Sequence, residues 1–189
     1  MKKSELVQGV VVLLVITIAA GLLLAQVYAI TLPRIEEQKR KETENLFREM
    51  FPEGVRFEKE PRAQLSVTRV YDGQGNHLGS IVEQRATGYG GLLVILVGVE
   101  KDGAVRKVKI LQHNETPGLG AKVAQENFLK QFERLGLENL YLKSEQSGGR
   151  IDAISGATIS SRAVTEGVRK ALQSLLSSGA KETSPEKMQ

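Results

Sequence analysis

Cysteine is absent from the 189 residues of this chain. That excludes disulfides, thiolate-held metals and cysteine-ligated iron–sulfur clusters. It leaves the compartment open, because a cysteine-free protein is stable on either side of a membrane. Histidine is nearly absent too: His77 and His113 are the only two. No paired carboxylates accompany them, so no metal site is expected. Aromatic residues make up 5% of the chain and no basic run is interleaved with them, which leaves nucleic-acid binding without support. The net charge is +4; these charges are interspersed and mark no single-sign surface. There is no internal repeat.

Charge is missing altogether from one long stretch. Between Leu6 and Ile30 the only polar side chains are Gln8, Thr17, Gln26 and Tyr28. As a helix this stretch rises roughly 37 Å, enough to cross a hydrocarbon core of about 30 Å with some tilt. Helix is the form a single span must take, since each backbone amide in lipid needs a partner within the segment. A cleaved signal peptide is the competing reading, with Lys2 and Lys3 as its basic start and Val27-Tyr28-Ala29 as a loose cleavage site. The apolar region of such peptides covers about 7–15 residues, and this one is far longer. A buried core helix would show a polar face, which is missing here. Charge does not set the orientation: Lys2 and Lys3 favour a cytoplasmic N-terminus, while Arg34, Lys39, Arg40 and Lys41 pull the other way.

Beyond Pro33, residues Arg34 to Met50 are rich in helix formers and place Glu37 and Lys41 at the favourable i,i+4 spacing. They predict a stalk helix or a continuation of the span, broken at Phe51-Pro52-Glu53-Gly54. Strands are then expected at Leu65–Tyr71, His77–Ala86, Leu92–Glu100 and Ala104–Leu111, joined by Asp72–Asn76 and Lys101-Asp102-Gly103 as turns. A glycine-rich loop follows from His113 to Gly120. Next comes an amphipathic helix over about Ala121–Leu135, with Val123, Phe128, Leu129 and Phe132 on its apolar stripe. After a loop at Ser147–Gly149, a short strand is expected at Arg150–Ile154. A final helix should cover about Ser160–Leu176, with Ser160 or Ser161 as N-cap, and a polar tail from residue 177. The soluble part therefore reads as α+β, an antiparallel sheet with helices packed against it.

The segment Asp152-Ala153-Ile154-Ser155-Gly156-Ala157-Thr158-Ile159-Ser160-Ser161 carries the clearest chemistry. Read as strand, tight turn and helix start, it offers unpaired N–H groups and the positive end of a helix dipole to an anion. Gly156 and Ala157 let a phosphate and its bulky substituent approach the backbone, and Thr158 puts a hydroxyl where the phosphate would sit. Taken bare, the same residues also describe an ordinary helix cap.

Asp-x-x-Ser-Gly-Ala-Thr followed by Ile-Ser-Ser resembles the flavinylation signature of the FMN-binding domain family. Two further segments resemble parts of that family in the same order: Thr87-Gly88-Tyr89-Gly90-Gly91, and His113-Asn114-Glu115-Thr116-Pro117-Gly118-Leu119-Gly120. With the N-terminal span and this length, the chain is most similar to family members that serve as the G subunits of Rnf (Rsx) electron transport complexes. The C subunits of sodium-pumping NADH:quinone reductases share the flavinylation motif but are typically longer.

The resemblance implies a single N-terminal transmembrane helix (1–32), a stalk helix (33–52), an antiparallel-sheet FMN-binding domain (53–178) and a disordered tail (179–189). It implies FMN held covalently on Thr158 as a phosphoester, placed there by a flavin transferase that consumes FAD. Ser155, Gly156, Ala157, Ser160 and Ser161 would cradle the phosphate. Tyr89 and Leu119 would pack on the ring, with Gly90 beside it. Glu115 and Thr116 would hydrogen-bond the ring or ribityl chain, Gly118 would allow close approach, and Asp152 would hold a metal or orient the threonine during attachment. The implied role is that of a redox subunit, incomplete as an enzyme alone. Its complex passes electrons between ferredoxin and NAD, coupled to proton or sodium translocation. The partners are the other subunits and the membrane, with the soluble domain on the outer, periplasmic face of the cytoplasmic membrane. A stand-alone flavinylated carrier, or an anchored structural subunit whose Ser-Gly-Ala-Thr is only a cap, would show many of the same features.

Overall fold

The computed structural model describes residues 3–61 and 66–182, and the chain divides into two compact units, Met1–Asn45 and Leu46–Gln189. Helix α1 (Lys3–Met50) passes Pro33 without a break, so the expected stalk is a continuation of the apolar helix. Proline has no N–H to give the carbonyl of Ala29. Within the first unit Thr31 Oγ1 donates to the Val27 carbonyl at 2.7 Å, and Lys41 meets Glu37 at 2.8 Å as its spacing predicts. From residue 8 onward the apolar side chains of this unit stand exposed, Leu24 at 72%. The helix is long and apolar enough to cross a membrane.

The second unit is built on a five-stranded antiparallel meander, in the order β1 (Arg56–Pro61), β2 (Ser66–Tyr71), β3 (His77–Thr87), β4 (Leu92–Glu100) and β5 (Val105–His113). The Asp72 turn is self-tied: its Oδ1 accepts N–H bonds from Gln74 and Asn76, both at 2.8 Å, a local arrangement that turns favour. Strand β4 is buried on both faces, which explains its continuous run of apolar residues. Leu93, Ile95, Val97 and Val99 join Val164, Val168, Ala171 and Leu172 of the final helix α3 (Thr158–Glu182) in the larger core. On the opposite face Leu96, Ile81 and Val70 pack with Phe47, Met50 and Phe51. Two strand glycines make room for Phe51. A Cβ on Gly79 would lie 3.0 Å from the Phe51 ring and 2.3 Å from the Val99 carbonyl oxygen, and one on Gly98 would lie 3.0 Å from Met50 Cε.

Several elements differ from the sequence expectation. Strand β1 has no counterpart among the expected strands; its sequence Arg-Phe-Glu-Lys-Glu-Pro has one apolar residue facing the core, and pairing with β2 along one edge makes it a strand. Leu65, expected to begin β2, lies outside the described residues. The helix expected over Ala121–Leu135 is three short pieces: a 3-10 turn at Gly120–Ala124, α2 at Glu126–Leu129 and a second 3-10 turn at Lys130–Phe132. Gln125 between the first two is extended, at φ −76° and ψ 145°. The chain beyond is drawn to the edge of β5, where Val105 N–H donates to Leu135 O and Arg134 N–H to Val105 O. The apolar stripe itself is as expected, with Val123, Phe128, Leu129 and Phe132 all buried.

No strand forms at Arg150–Ile154. Ile151 makes only an isolated parallel bridge with Leu142, and the next N–H, that of Asp152, is taken by Gln131 Oε1 at 2.7 Å. Helix α3 starts at Thr158, earlier than either serine expected as its cap. It also runs on to Glu182, through the residues expected to begin a tail; residues 183–189 lie outside the described residues.

Gly79→Ala should lower stability by about 1–3 kcal/mol, the usual range for overpacking, as read from a chemical denaturation midpoint. Glu49 accepts from Lys109 Nζ at 2.6 Å and Lys107 Nζ at 3.1 Å, and these hydrogen bonds, that of Lys109 foremost, hold its carboxyl below the ordinary glutamate range. A lowered folded value gives stability that is complete above the unfolded value of about 4.3 and is lost as pH falls through the folded one. Glu49→Gln should therefore flatten the acid limb of the stability–pH curve; an unchanged limb would show that the bridge contributes nothing.

Candidate functional site

Three chain reversals meet at one cavity of about 450 Å³, lined by Tyr89 from the β3–β4 turn, by Glu115, Thr116, Leu119 and Gly120 after β5, and by Gly156 to Ser160 at the start of α3. The β3–β4 turn closes with the Gly88 N–H donating to Gly91 O at 2.8 Å. Gly90 has its backbone against the neighbouring loop; a Cβ there would lie 2.3 Å from the Asn114 carbonyl oxygen. In that loop the N–H groups of Leu119 and Ala121 both donate to Thr116 O, at 3.2 and 3.1 Å, and Gly118 takes a φ of +77°.

The third reversal is a tight turn, with the Ala157 N–H donating to Ile154 O at 2.9 Å and Gly156 at φ +76°. Ser161 fastens it to the helix. Its buried hydroxyl donates to Ala157 O at 2.9 Å and accepts the Ile154 N–H at 3.0 Å. Helix α3 then begins with no acidic residue in its first turn, so its free N–H groups and positive dipole end are left for an anion at the cavity wall. Thr158 is exposed there, and within the described residues its hydroxyl makes no hydrogen bond.

Two polar groups lining the cavity are buried and unpartnered: the Ser160 hydroxyl, on a residue 1% exposed, and both carboxylate oxygens of Glu115, 6% exposed. Glycines flank the carboxylate. A Cβ on Gly88 would sit 2.0 Å from Glu115 Oε1, and one on Gly120 would sit 2.2 Å from Oε2. A buried carboxylate with no donor is costly. Both oxygens are closed off between the Gly88 and Gly120 backbones. The walls nearer solvent are apolar, with Tyr89 74%, Ile159 52% and Leu119 43% exposed.

Most of the residues singled out in the sequence meet here: Thr158, Gly156, Ala157, Ser160, Tyr89, Glu115, Thr116 and Leu119. Gly90 and Gly118 do not line it; Gly90 packs against Asn114, and Gly118 turns its loop at φ +77°. Ser155 is exposed and does not line the cavity, and the Ser161 hydroxyl is spent within the turn. Asp152 also lies apart, with its carboxylate 2.6 Å from Lys143 Nζ. Among the described residues no cluster of histidine and acidic side chains is arranged to hold a metal. Sequence reasoning takes Ile159 only for its backbone amide beside the phosphate and misses its side chain as a wall, and it misses Gly88 as the close neighbour of Glu115.

The family model for the FMN-binding domain matches residues 88–173, which include every lining residue of the cavity. The fold is that of the C subunit of the Na(+)-translocating NADH-quinone reductase from Parabacteroides distasonis, at 23% identity and a TM-score of 0.50, covering 59% of this chain and 61% of that one. Residues 88–173 thus resemble an FMN-binding domain.

Over nearly its whole length the chain is also 31% identical to the G subunit of the ion-translocating oxidoreductase complex of Methanosarcina acetivorans, covering 89% of this chain and 94% of that protein. It is 34% identical to the G subunit of the proton-translocating ferredoxin:NAD(+) oxidoreductase complex of Clostridium ljungdahlii, covering 82% and 83%. The chain belongs to this family of G subunits, and its apolar N-terminal helix makes it a membrane-anchored member.

Ser161→Ala removes both hydrogen bonds made by the hydroxyl and leaves the Ile154 N–H without its partner. It should cost about 1–3 kcal/mol, visible as a lowered denaturation midpoint with Thr158 still present.

Proposed function

We propose that FMN sits in this cavity as a phosphoester of Thr158, and that the chain is a flavin-bearing electron relay in an ion-translocating membrane complex. The observation that carries this reading is the free Thr158 hydroxyl at an uncapped helix start, on the rim of a cavity that holds unpartnered hydrogen-bonding groups. It also favours the relay over a mere helix cap. Ser161 ties the turn, so Thr158 has no structural duty there. The cavity lies within the usual size range of ligand sites, about 300–1,000 Å³.

Each wall has a matching task. The first-turn N–H groups of α3 and the Ser160 hydroxyl bind phosphate oxygens, and the Gly156–Ala157 backbone lets them come close. Tyr89, Leu119 and Ile159 offer flat apolar contact to the ring, while Glu115 and Thr116 face its polar parts. The flavin supplies the electron chemistry; the protein fixes its position and surroundings. A covalent tether keeps it in place between turnovers. Asp152 is exposed and outside the cavity, which favours a role in orienting the threonine during attachment over contact with the seated cofactor.

The relatives suggest the wider setting. Their complexes are named as ferredoxin:NAD(+) oxidoreductases, proton-translocating in Clostridium ljungdahlii and Na(+)-translocating in Acetobacterium woodii. We assign this chain to electron transfer between ferredoxin and NAD in such a complex, with its soluble domain on the outer face of the membrane.

Two measurements test the reading. After coexpression with a flavin transferase, the intact mass should show one FMN increment, and Thr158→Ala should lose it entirely. An increment retained by the alanine variant would remove Thr158 as the attachment point. A reporter fused after Gln189 should be active only if it works outside the cytoplasm; strong signal from a cytoplasm-only reporter would reverse the orientation.

A further inference from the structure

We infer that Arg162 is the counter-ion of the phosphate carried on Thr158, its guanidinium donating to the phosphate oxygens from one helical turn away. This rests on the FMN reading for the identity of the ligand.

The need for a cation comes from the cavity itself. A phosphoester on Thr158 that also carries the flavin keeps one negative charge. The donors lining its place are neutral: the N–H groups of the first turn of α3, and the buried, unpartnered hydroxyl of Ser160. Among the described residues that line the cavity the one charged side chain is Glu115, an acid. A helix start carries about half a positive charge, so these walls neutralise the phosphate only in part. The balance has to come from a residue just outside them.

Helix geometry puts one there. Arg162 follows Thr158 by four residues inside α3, so the two share a face with their Cβ atoms about 5–6 Å apart. Helical side chains lean toward the N-terminus, which carries the Arg162 head group back toward Thr158. Both residues are exposed. The guanidinium is engaged along one edge: Nε and Nη2 meet Glu145 Oε1, and among the described residues Nη1 makes no hydrogen bond. Glu145 thus holds Arg162 in place while leaving donors of the five-hydrogen fork unspent. An exposed ion pair contributes little by itself, whereas forked bonds from arginine to phosphate are among the stronger polar contacts. Lys143, from the same segment as Glu145, is committed to the Asp152 carboxylate at 2.6 Å, and its ammonium has no second edge to offer.

The test uses the full-length Thr158→Ala chain in detergent micelles, so that binding is reversible. Two probes are titrated by flavin fluorescence: FMN, which carries the phosphate, and riboflavin, which lacks it. Adding Arg162→Gln should weaken FMN roughly fivefold to fiftyfold, between a screened surface pair and a hydrogen bond to a charged group. Riboflavin should bind as before. Arg162→Lys, which keeps the charge without the fork, should recover part of the loss. Added salt should weaken FMN for the chain with Arg162, and do so less for Arg162→Gln. An FMN affinity indifferent to Arg162→Gln overturns the inference and leaves the FMN reading standing. An equal loss for both probes overturns it too, since that marks a role in packing alone. If FMN fails to bind the chain with Arg162 intact, the FMN reading fails and takes this inference with it.

Discussion

The site depends on one hydroxyl that never faces it. Ser161 bridges the Ile154 N–H and the Ala157 carbonyl, and so pins the backbone on both sides of Gly156 to the first turn of α3. Hydroxyl caps usually occupy the residue before the helix and fill its free N–H groups from outside. Here the same chemistry comes from within the helix and spends nothing on those N–H groups. The turn is held, and the helix start stays open. The buried stripe of α3, with Val164, Val168, Ala171 and Leu172 in the core, then fixes that open end against β3 and β4, and the cavity inherits its geometry from the sheet.

Much of the fold could be read from local pattern. The bounds of β4 are those expected, because nine largely apolar residues between turns leave few other outcomes. Strand β3 begins at the predicted residue, following the Asp72 turn, whose chemistry is written in its own side chains. What escapes such reading is set by distant partners. Strand β1 has no apolar alternation, and its identity comes from the backbone of β2. The break at Gln125 has no proline or glycine to announce it; a segment with a sound helical stripe is bent because its far end hydrogen-bonds to β5.

The cavity is legible to the extent that its motifs are. Thr158, Tyr89 and Glu115 each lie in a recognisable segment, and the structure brings all three segments to one cavity. A sequence cannot show which hydroxyl of a serine- and threonine-rich turn is free. Ser155, Ser160 and Ser161 look alike on the page, yet one is exposed away from the cavity, one is buried beside it without a partner, and one is fully occupied. Nor does composition reveal that glycines at 88 and 120 owe their small size to a carboxylate. That relation joins residues 32 positions apart.

The outer strand β1 has a consequence for life in a crowded bilayer. Membrane anchoring confines many copies to one plane, where exposed sheet edges could zip together into larger β structures. Arg56, Glu58, Lys59 and Glu60 fill this edge with charge, and Pro61 ends it with a residue that has no N–H to offer a neighbour. A second copy approaching in register would meet like charges and a missing donor. The residues that hide β1 from sequence reading therefore act as a guard against self-assembly, leaving the domain free to meet partners through other surfaces.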